Sequence, residues 1–294
     1  MEQLLQQLIN GISLGSIYAL IALGYTMVYG IIGLINFAHG DIYMVGAYVG
    51  FALTTFFGLG FFSALLISML VCSVLGIIVE KVAYKPIRNS TRIAALITAI
   101  SVSLILQYTM MYFVKPDTRT FPEVLQSKII TFFNGKVMLD VKNIYIVTIT
   151  IVLMIGLQYI VHKTKIGKAM RAVSLDKDAA ELMGINVNKT ISYTFAMGSS
   201  LAGAAGVLVG VYYNTINPLM GTVPGLKAFI AAVLGGIGII PGAVFGGFFL
   251  GMIETVVTAY GGSIFKDAVS FAILILVLLV RPNGLLGKTT REKV

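Results

Sequence analysis

Residues 143–161 read NIYIVTITIVLMIGLQYIV and contain no charged side chain. A helix of about 20 apolar residues is long enough to cross the roughly 30 Å hydrocarbon core of a bilayer. Similar runs recur along the chain, which has 57% hydrophobic residues, only 11% charged residues and a mean hydropathy of +0.93. Soluble chains carry roughly a quarter charged residues. The sequence therefore predicts an all-α, polytopic transmembrane helical bundle, and the continuous runs disfavour a β-barrel.

The apolar runs predict about nine spans, within a range of eight to ten, in a single transmembrane domain over residues 1–294. Helix breakers and short runs make the first, second and seventh spans the least regular. The predicted spans are 8–29, 41–58, 61–80, 94–114, 143–161, 190–212, 226–240, 242–260 and 264–280.

Lys and Arg concentrate in the connections 80–93 and 162–189 and in the tail after the last span. Basic residues in short loops mark the cytoplasmic side of a membrane protein. With nine spans, all three groups fall on one side, which predicts an N-terminus outside the cell and a cytoplasmic C-terminus. The net charge of +9 thus reflects topology rather than nucleic-acid binding.

The segment 115–142 is external in this topology. It contains Asn134-Gly135 between two β-prone runs, 129–133 and 136–139. Asn-Gly between such runs favours a tight two-residue turn. We therefore predict a small external β-hairpin, which is either a docking surface for a soluble partner or a lid over the membrane face.

Two glycine-rich segments predict broken helices. One contains Gly235, Gly236 and Gly238 followed by Pro241, and the other is the run 30–41. Non-helical backbone at membrane depth is tolerated only where it faces protein or a water-filled cavity, and broken helices mark binding sites in many transporters. These segments are therefore candidates for a translocation pathway.

Ionisable residues inside membrane spans are costly and usually functional. Glu254, His39 and Asp41 are the candidates here, whereas side chains near span ends, such as Glu80 and Lys227, are interpreted as reaching the membrane interface. No set of His, Cys, Asp or Glu residues has metal-ligand spacing. His39, Asp41 and Glu254 are too few polar groups to favour an intramembrane enzyme. The predicted pathway residues are Asn36, His39, Asp41, Gly235, Gly236, Gly238 and Glu254.

A polar island, residues 164–189, separates two apolar runs. Ser174 or Asp176 suits a helix N-cap, and Gly184 suits the position just after the C-terminus. The sequence predicts a helix of about two turns, which either fits a groove on a soluble partner or is an ordinary interfacial loop. Its residues are Asp178, Ala179, Ala180, Glu181, Leu182, Met183 and Gly184, with the alanines, Leu182 and Met183 on one apolar face.

The tail contains an imperfect match to a phosphate-binding loop, residues 282–289. Pro282 stands where the first glycine of GxxxxGK[ST] is required, and the segment follows a membrane span rather than a strand. We therefore predict no nucleotide site, no cofactor and no enzymatic activity in this chain. Any ATP-driven function requires a separate subunit.

Several of these segments together resemble ABC importer permeases of the branched-chain amino acid (LivH-type) family. The run 165–173 with Asp178-Ala179-Ala180 and Met183-Gly184-Ile185 is similar to the cytoplasmic coupling loop of that family. The family motif usually begins with Glu, and Asp178 keeps the charge. The runs 10–20 and 36–41 resemble the N-terminal half of the family, and 217–221 and 227–238 resemble the C-terminal half.

The resemblance implies a multi-component importer. A paralogous (LivM-like) permease forms the other half of the channel, two cytoplasmic ATPase subunits bind residues Asp178 to Gly184, and an extracytoplasmic binding protein delivers leucine, isoleucine or valine. It implies a bacterial inner-membrane location. Relatives of the same fold carry urea, amides or sugars, so these substrates remain alternatives. So does an ion-coupled secondary transporter, which would account for the broken spans but not for the short polar-island helix.

Overall fold

The computed structural model describes residues 2–88, 90–125, 127–132 and 136–287. Helices dominate, and the four strands are short. The elements are α1 (Glu2–Ile32), α2 (His39–Thr55), α3 (Phe61–Val79), a π-helical segment (Glu80–Tyr84), α4 (Lys85–Ile87), α5 (Arg92–Val114), β1 (Arg119–Thr120), β2 (Ile129–Phe132), β3 (Val137–Asp140), α6 (Val141–Lys163), α7 (Lys165–Leu175), α8 (Lys177–Leu182), α9 (Val187–Tyr213), β4 (Thr215–Ile216), α10 (Thr222–Gly235), α11 (Ile240–Tyr260) and α12 (Phe265–Val280).

Six helices in the described residues are long and apolar enough to cross a membrane: α1, α3 with its π-helical extension, α5, α6, α9 and α11. The predicted spans 41–58, 226–240 and 264–280 coincide with α2, α10 and α12, which have 17, 14 and 16 residues. These three are shorter than the roughly 20 residues of a full crossing. The structure therefore agrees with the predicted helical membrane protein, whereas the number of nine membrane crossings remains a prediction.

Two helices form the centre of the bundle. In the most apolar stretches of α1 and α9, 83% and 89% of residues are buried, against 11% in α5 and 22% in α6. α1 packs on α11, α9 and α10, while α9 packs on α3 and α2. The outer helices keep apolar side chains exposed, as expected for surfaces that contact lipid or another membrane subunit.

Small residues allow the closest of these contacts. A Cβ added to Gly15 of α1 would overlap the backbone of Phe248 in α11, and one added to Gly251 of α11 would overlap the backbone of Gly15. Backbones approach this closely only where no side chain intervenes. The four-residue glycine spacing along both helices thus serves helix packing.

The bundle has two distinct ends. Gln6 near the start of α1 exchanges hydrogen bonds of 2.9 and 2.7 Å with the backbone of Met138 in β3. At the other end of α1, Gly30 lines a small cavity together with Met170 of α7. The single helix α6 joins β3 to α7. We call these the hairpin end and the α7 end.

Strands β2 and β3 pair antiparallel at the hairpin end, with Phe132 opposite Val137. The predicted Asn134-Gly135 turn lies outside the described residues. A second pair, β1 with β4, joins the segment after α5 to the segment after α9, with Arg119 opposite Ile216.

Candidate functional site

The polar island folds into two short helices rather than one. α7 begins after Thr164, whose side chain accepts a hydrogen bond of 3.1 Å from the Gly167 amide, and it buries Gly167, Met170 and Val173. Arg171 donates to the backbone carbonyl of Val161 at the end of α6. α7 was not predicted, although its three- and four-residue apolar spacing is the signal of an amphipathic helix.

The predicted two-turn helix is α8, and its ends are as predicted. The Asp176 carboxylate accepts hydrogen bonds of 2.9 and 3.0 Å from the amides of Asp178 and Ala179. Gly184 has a φ of +82°. Its amide donates to the Glu181 carbonyl, and the next amide, of Ile185, donates to Ala180. This pair of bonds is a Schellman C-cap, which satisfies carbonyls that a helix end otherwise leaves unpaired.

The predicted apolar face of α8 is wrong in one respect. Ala180 is buried and faces α7 and α9, whereas Ala179 is exposed. The large apolar side chains point away from the bundle: Leu175, Leu182 and Met183 are 88%, 89% and 83% exposed. These three residues are here called the α8 surface. They lie at the α7 end of the bundle, and no other described residue covers them.

Glu254 belongs to a buried charge network that links four helices. Its two carboxylate oxygens accept hydrogen bonds from Lys227 of α10 at 2.7 Å and from the Tyr18 hydroxyl of α1 at 2.9 Å. Lys227 also lies 2.7 Å from Asp267 of α12. Lys227 is only 2% exposed, so the interpretation that it extends to the membrane interface is wrong.

Glu80 is a second residue for which the predicted extension to the membrane interface is wrong. It is 1% exposed and accepts hydrogen bonds from Arg88 at 2.6 Å and from Ser192 of α9 at 2.7 Å. It opens the π-helical segment, where the wider turn departs from the regular α3 helix. A carboxylate with these partners is satisfied inside the protein and does not reach the interface.

Asn36, His39 and Asp41 lie close together where α2 begins, and all three are buried. The Asn36 side-chain oxygen accepts a hydrogen bond of 2.9 Å from Tyr84. The His39 ring packs edge-on against Tyr25, with ring centroids 4.9 Å apart. Asp41 Oδ1 accepts a 2.9 Å hydrogen bond from Gln107 of α5.

Gln107 was missed by the sequence analysis. Its signal is an uncharged amide within an otherwise apolar run, and polar groups at such positions usually have a partner inside the bundle. The amide also lies 3.2 Å from the Ser103 hydroxyl and 3.5 Å from the Thr222 hydroxyl. It thereby connects α2, α5 and α10.

The predicted glycine break is real, and it lies at the α7 end. α10 ends at Gly235 and α11 begins at Ile240, with φ values of +108° at Gly236 and +91° at Gly238. The amides of Leu285 and Leu286 donate to the carbonyls of Leu234 and Gly235. The predicted pathway residues therefore occupy three separate places: the start of α2, the Glu254 network and this turn.

Comparison with known families agrees with this architecture. Residues 7–278 match the family described as "Branched-chain amino acid transport system / permease component". This chain belongs to that permease family. The match includes α8, the start of α2 and the Glu254 network.

Similar permeases extend over the whole chain. The high-affinity branched-chain amino acid transport system permease protein BraD of Pseudomonas aeruginosa is 44% identical, over 99% of this chain and 98% of its own length. The LivH protein of Escherichia coli K12 is also 44% identical, over 99% and 97%. The ribose import permease RbsC of Escherichia coli K12 is 30% identical over only 42% of this chain.

Among solved structures, PsaBC from Streptococcus pneumoniae in complex with Fab covers 96% of this chain and 93% of the matched chain, with a TM-score of 0.51. Sequence identity is 15%, so this likeness concerns the fold alone. The fold of this chain is thus also present in a chain of that complex.

Proposed function

We propose that this chain is a permease subunit of an ATP-driven importer that moves branched-chain and other hydrophobic amino acids across the bacterial inner membrane. Family membership supports the transport role, as do six helices of membrane-spanning length and two relatives named for branched-chain amino acid transport. In this proposal the chain provides a path for the substrate and hydrolyses no nucleotide itself.

The α8 surface is the observation that carries the ATP-driven part of the proposal. Three large apolar side chains, Leu175, Leu182 and Met183, are each more than four-fifths exposed. Leu182 and Met183 lie at the end of α8, which is capped at both ends, and Leu175 is the last residue of the adjacent helix α7, which carries basic residues. Exposed apolar groups on a rigid helix suit insertion into a groove of a soluble protein. We infer that one ATPase subunit binds here and that a second ATPase subunit binds the other permease of the importer.

Sidedness and the other partners follow from this assignment. If α8 contacts cytoplasmic ATPases, the α7 end is cytoplasmic and both the N-terminus and the hairpin end are outside. A LivM-like paralogue supplies the second permease, and an extracytoplasmic binding protein delivers the amino acid. The distribution of Lys and Arg supports the same orientation.

A sugar is the second candidate substrate, because part of the chain is 30% identical to a ribose permease. That match covers 42% of the chain, whereas the amino acid permeases match over 99%. The amino acid is therefore the favoured substrate.

The test of the proposal is ATPase binding to the double variant Leu182→Glu, Met183→Glu. Both side chains are almost fully exposed, so the change leaves the packing of the bundle intact while placing charge on an apolar contact. ATPase subunits should copurify with the wild type and be lost from the variant, together with ATP-dependent leucine uptake. Ile264→Glu is the matched control, since Ile264 is 87% exposed between α11 and α12, at the hairpin end.

Equal recovery of the ATPases with the double variant would contradict the coupling role. Leucine uptake by the isolated chain in liposomes, driven by an ion gradient and without ATPases, would instead indicate a secondary transporter.

A further inference from the structure

A cavity of about 360 Å³ lies where α2, α5 and α10 meet. One part of its wall is aliphatic and aromatic, and the other part carries polar groups. The apolar residues are Phe37, Leu96, Ile100, Leu104 and Leu226, and the polar residues are Tyr25, Asp41, Ser103, Gln107 and Thr222.

Asp41 is the only carboxylate among the residues that line this cavity, and it is 2% exposed. Of the basic side chains that the structure describes, none forms a salt bridge with it. Two buried glutamates differ from Asp41 in this respect: Glu80 pairs with Arg88 at 2.6 Å and Glu254 pairs with Lys227 at 2.7 Å. A buried carboxylate is costly unless a cation or several hydrogen bonds compensate it. The Gln107 amide supplies one such bond.

The cavity lies well inside the membrane region. At a rise of 1.5 Å per residue, Gln107 lies about 23 Å along α5 from its first residue and about 10 Å from its last residue. Two helices begin beside it, because Asp41 is in the first turn of α2 and Thr222 opens α10. The positive ends of these helices favour an ionised Asp41. An ionised Asp41 would have no cationic partner among the side chains that the structure describes.

The groups around the cavity fit one chemical class. A cationic group would neutralise an ionised Asp41, and an aliphatic group fits against Leu96, Ile100 and Leu104. The hydroxyl hydrogen of Thr222 remains available to an anionic group, since its oxygen faces the Gln107 amide as an acceptor, whereas the Ser103 hydroxyl is a hydrogen-bond partner of Asp41. An aliphatic amino acid has all three features: an ammonium group, a carboxylate and an apolar side chain.

We propose that this cavity is the membrane-embedded substrate site, in which Asp41 binds the ammonium group of a branched-chain amino acid. Leu96, Ile100 and Leu104 contact the aliphatic side chain. The inference rests on the proposed transport function and adds the location and chemistry of the site. The Glu254 network is less suited to this role, because Glu254 and Lys227 already form a buried ion pair with each other.

The test uses the assembled importer in proteoliposomes, with ATP, binding protein and radiolabelled leucine. Asp41→Asn keeps the side-chain size and removes the charge, so leucine uptake should fall about tenfold or more, the usual loss for a charged hydrogen bond. ATPase copurification and basal ATP hydrolysis should stay within about twofold of the wild type. Asp117→Asn is the matched control: it removes an exposed carboxylate that does not line this cavity and should keep leucine uptake.

A second measurement keeps Asp41 in place. Ile100→Cys puts a thiol on the cavity wall. The native Cys72 is fully buried elsewhere and should react much more slowly. Leucine should slow alkylation of Cys at position 100 at least twofold, and 4-methylpentanoate, which has the same aliphatic chain without the ammonium group, should not.

Leucine uptake by Asp41→Asn within twofold of wild type, or no protection by leucine, would overturn the site. Absence of any ATP-dependent leucine uptake by the wild-type complex would overturn the proposed function itself.

Discussion

Lys227 of α10 and Glu254 of α11 form an ion pair of 2.7 Å in which both side chains are at least 95% buried. The two residues are 27 positions apart and belong to helices that run side by side. Asp267 adds a second carboxylate to the same ammonium group. One lysine therefore holds three helices together.

We expect Lys227→Met to destabilise the protein more than Glu254→Gln. Removal of the lysine leaves two carboxylates near one another without a cation, and breaking a buried pair in this way costs about 3–5 kcal/mol. Glu254→Gln leaves Lys227 paired with Asp267, so its cost should be nearer about 1 kcal/mol. Thermal loss of the monodisperse species in detergent gives the order, and the reverse order would contradict this reading of the network.

Gly184 should be sensitive to side chains for reasons of backbone conformation alone. Its φ is +82°, and a Cβ there would meet no heavy atom within 4 Å. The left-handed conformation costs an L-residue roughly 1–2 kcal/mol, and less for Asn. Gly184→Val should therefore weaken ATPase copurification more than Gly184→Asn. Equal effects of both substitutions would point to a steric role instead.

Two glycines in membrane helices should respond oppositely to alanine. A Cβ on Gly235 would overlap the backbone of Gly242, so Gly235→Ala should force α10 and α11 apart at about 1–3 kcal/mol. A Cβ on Gly156 of α6 would contact nothing within 4 Å. Gly156→Ala should be neutral or stabilise by about 0.5–1 kcal/mol through helix propensity. Yield and thermal stability in detergent compare the two, and similar losses would contradict the packing assignment.

The two ends of the bundle should be labelled from opposite sides of the membrane. Lys136 at the hairpin end and Ala179 on α8 are both exposed, so each position can be replaced by a single cysteine for labelling. An impermeant maleimide added to intact cells should label position 136, and only inside-out vesicles should label position 179. The opposite pattern would invert the proposed orientation.

Local features of the sequence were sufficient for much of this structure. Each predicted span falls mainly on one helix, because a long apolar run is a local signal. The ends of α8 were also predictable, since Asp176 and Gly184 act on the amides and carbonyls of their immediate neighbours.

Contacts between residues far apart in the chain could not be predicted from the sequence. Lys227 and Glu80 each lie near the end of a predicted span, where extension to the interface is the usual outcome. Their partners, Glu254 and Ser192, are known only once α10 packs on α11 and α3 on α9. For the same reason Gln107 could not be joined to Asp41, which precedes it by 66 residues.

The length and continuity of α9 have a mechanical consequence. It starts three residues after Gly184, runs unbroken from Val187 to Tyr213, and spans about 40 Å at 1.5 Å per residue. Along the way it contacts α1, α2 and α3. One end of α9 lies beside α8, so we expect a displacement of that end by a bound ATPase to tilt α9 together with the helices packed on it.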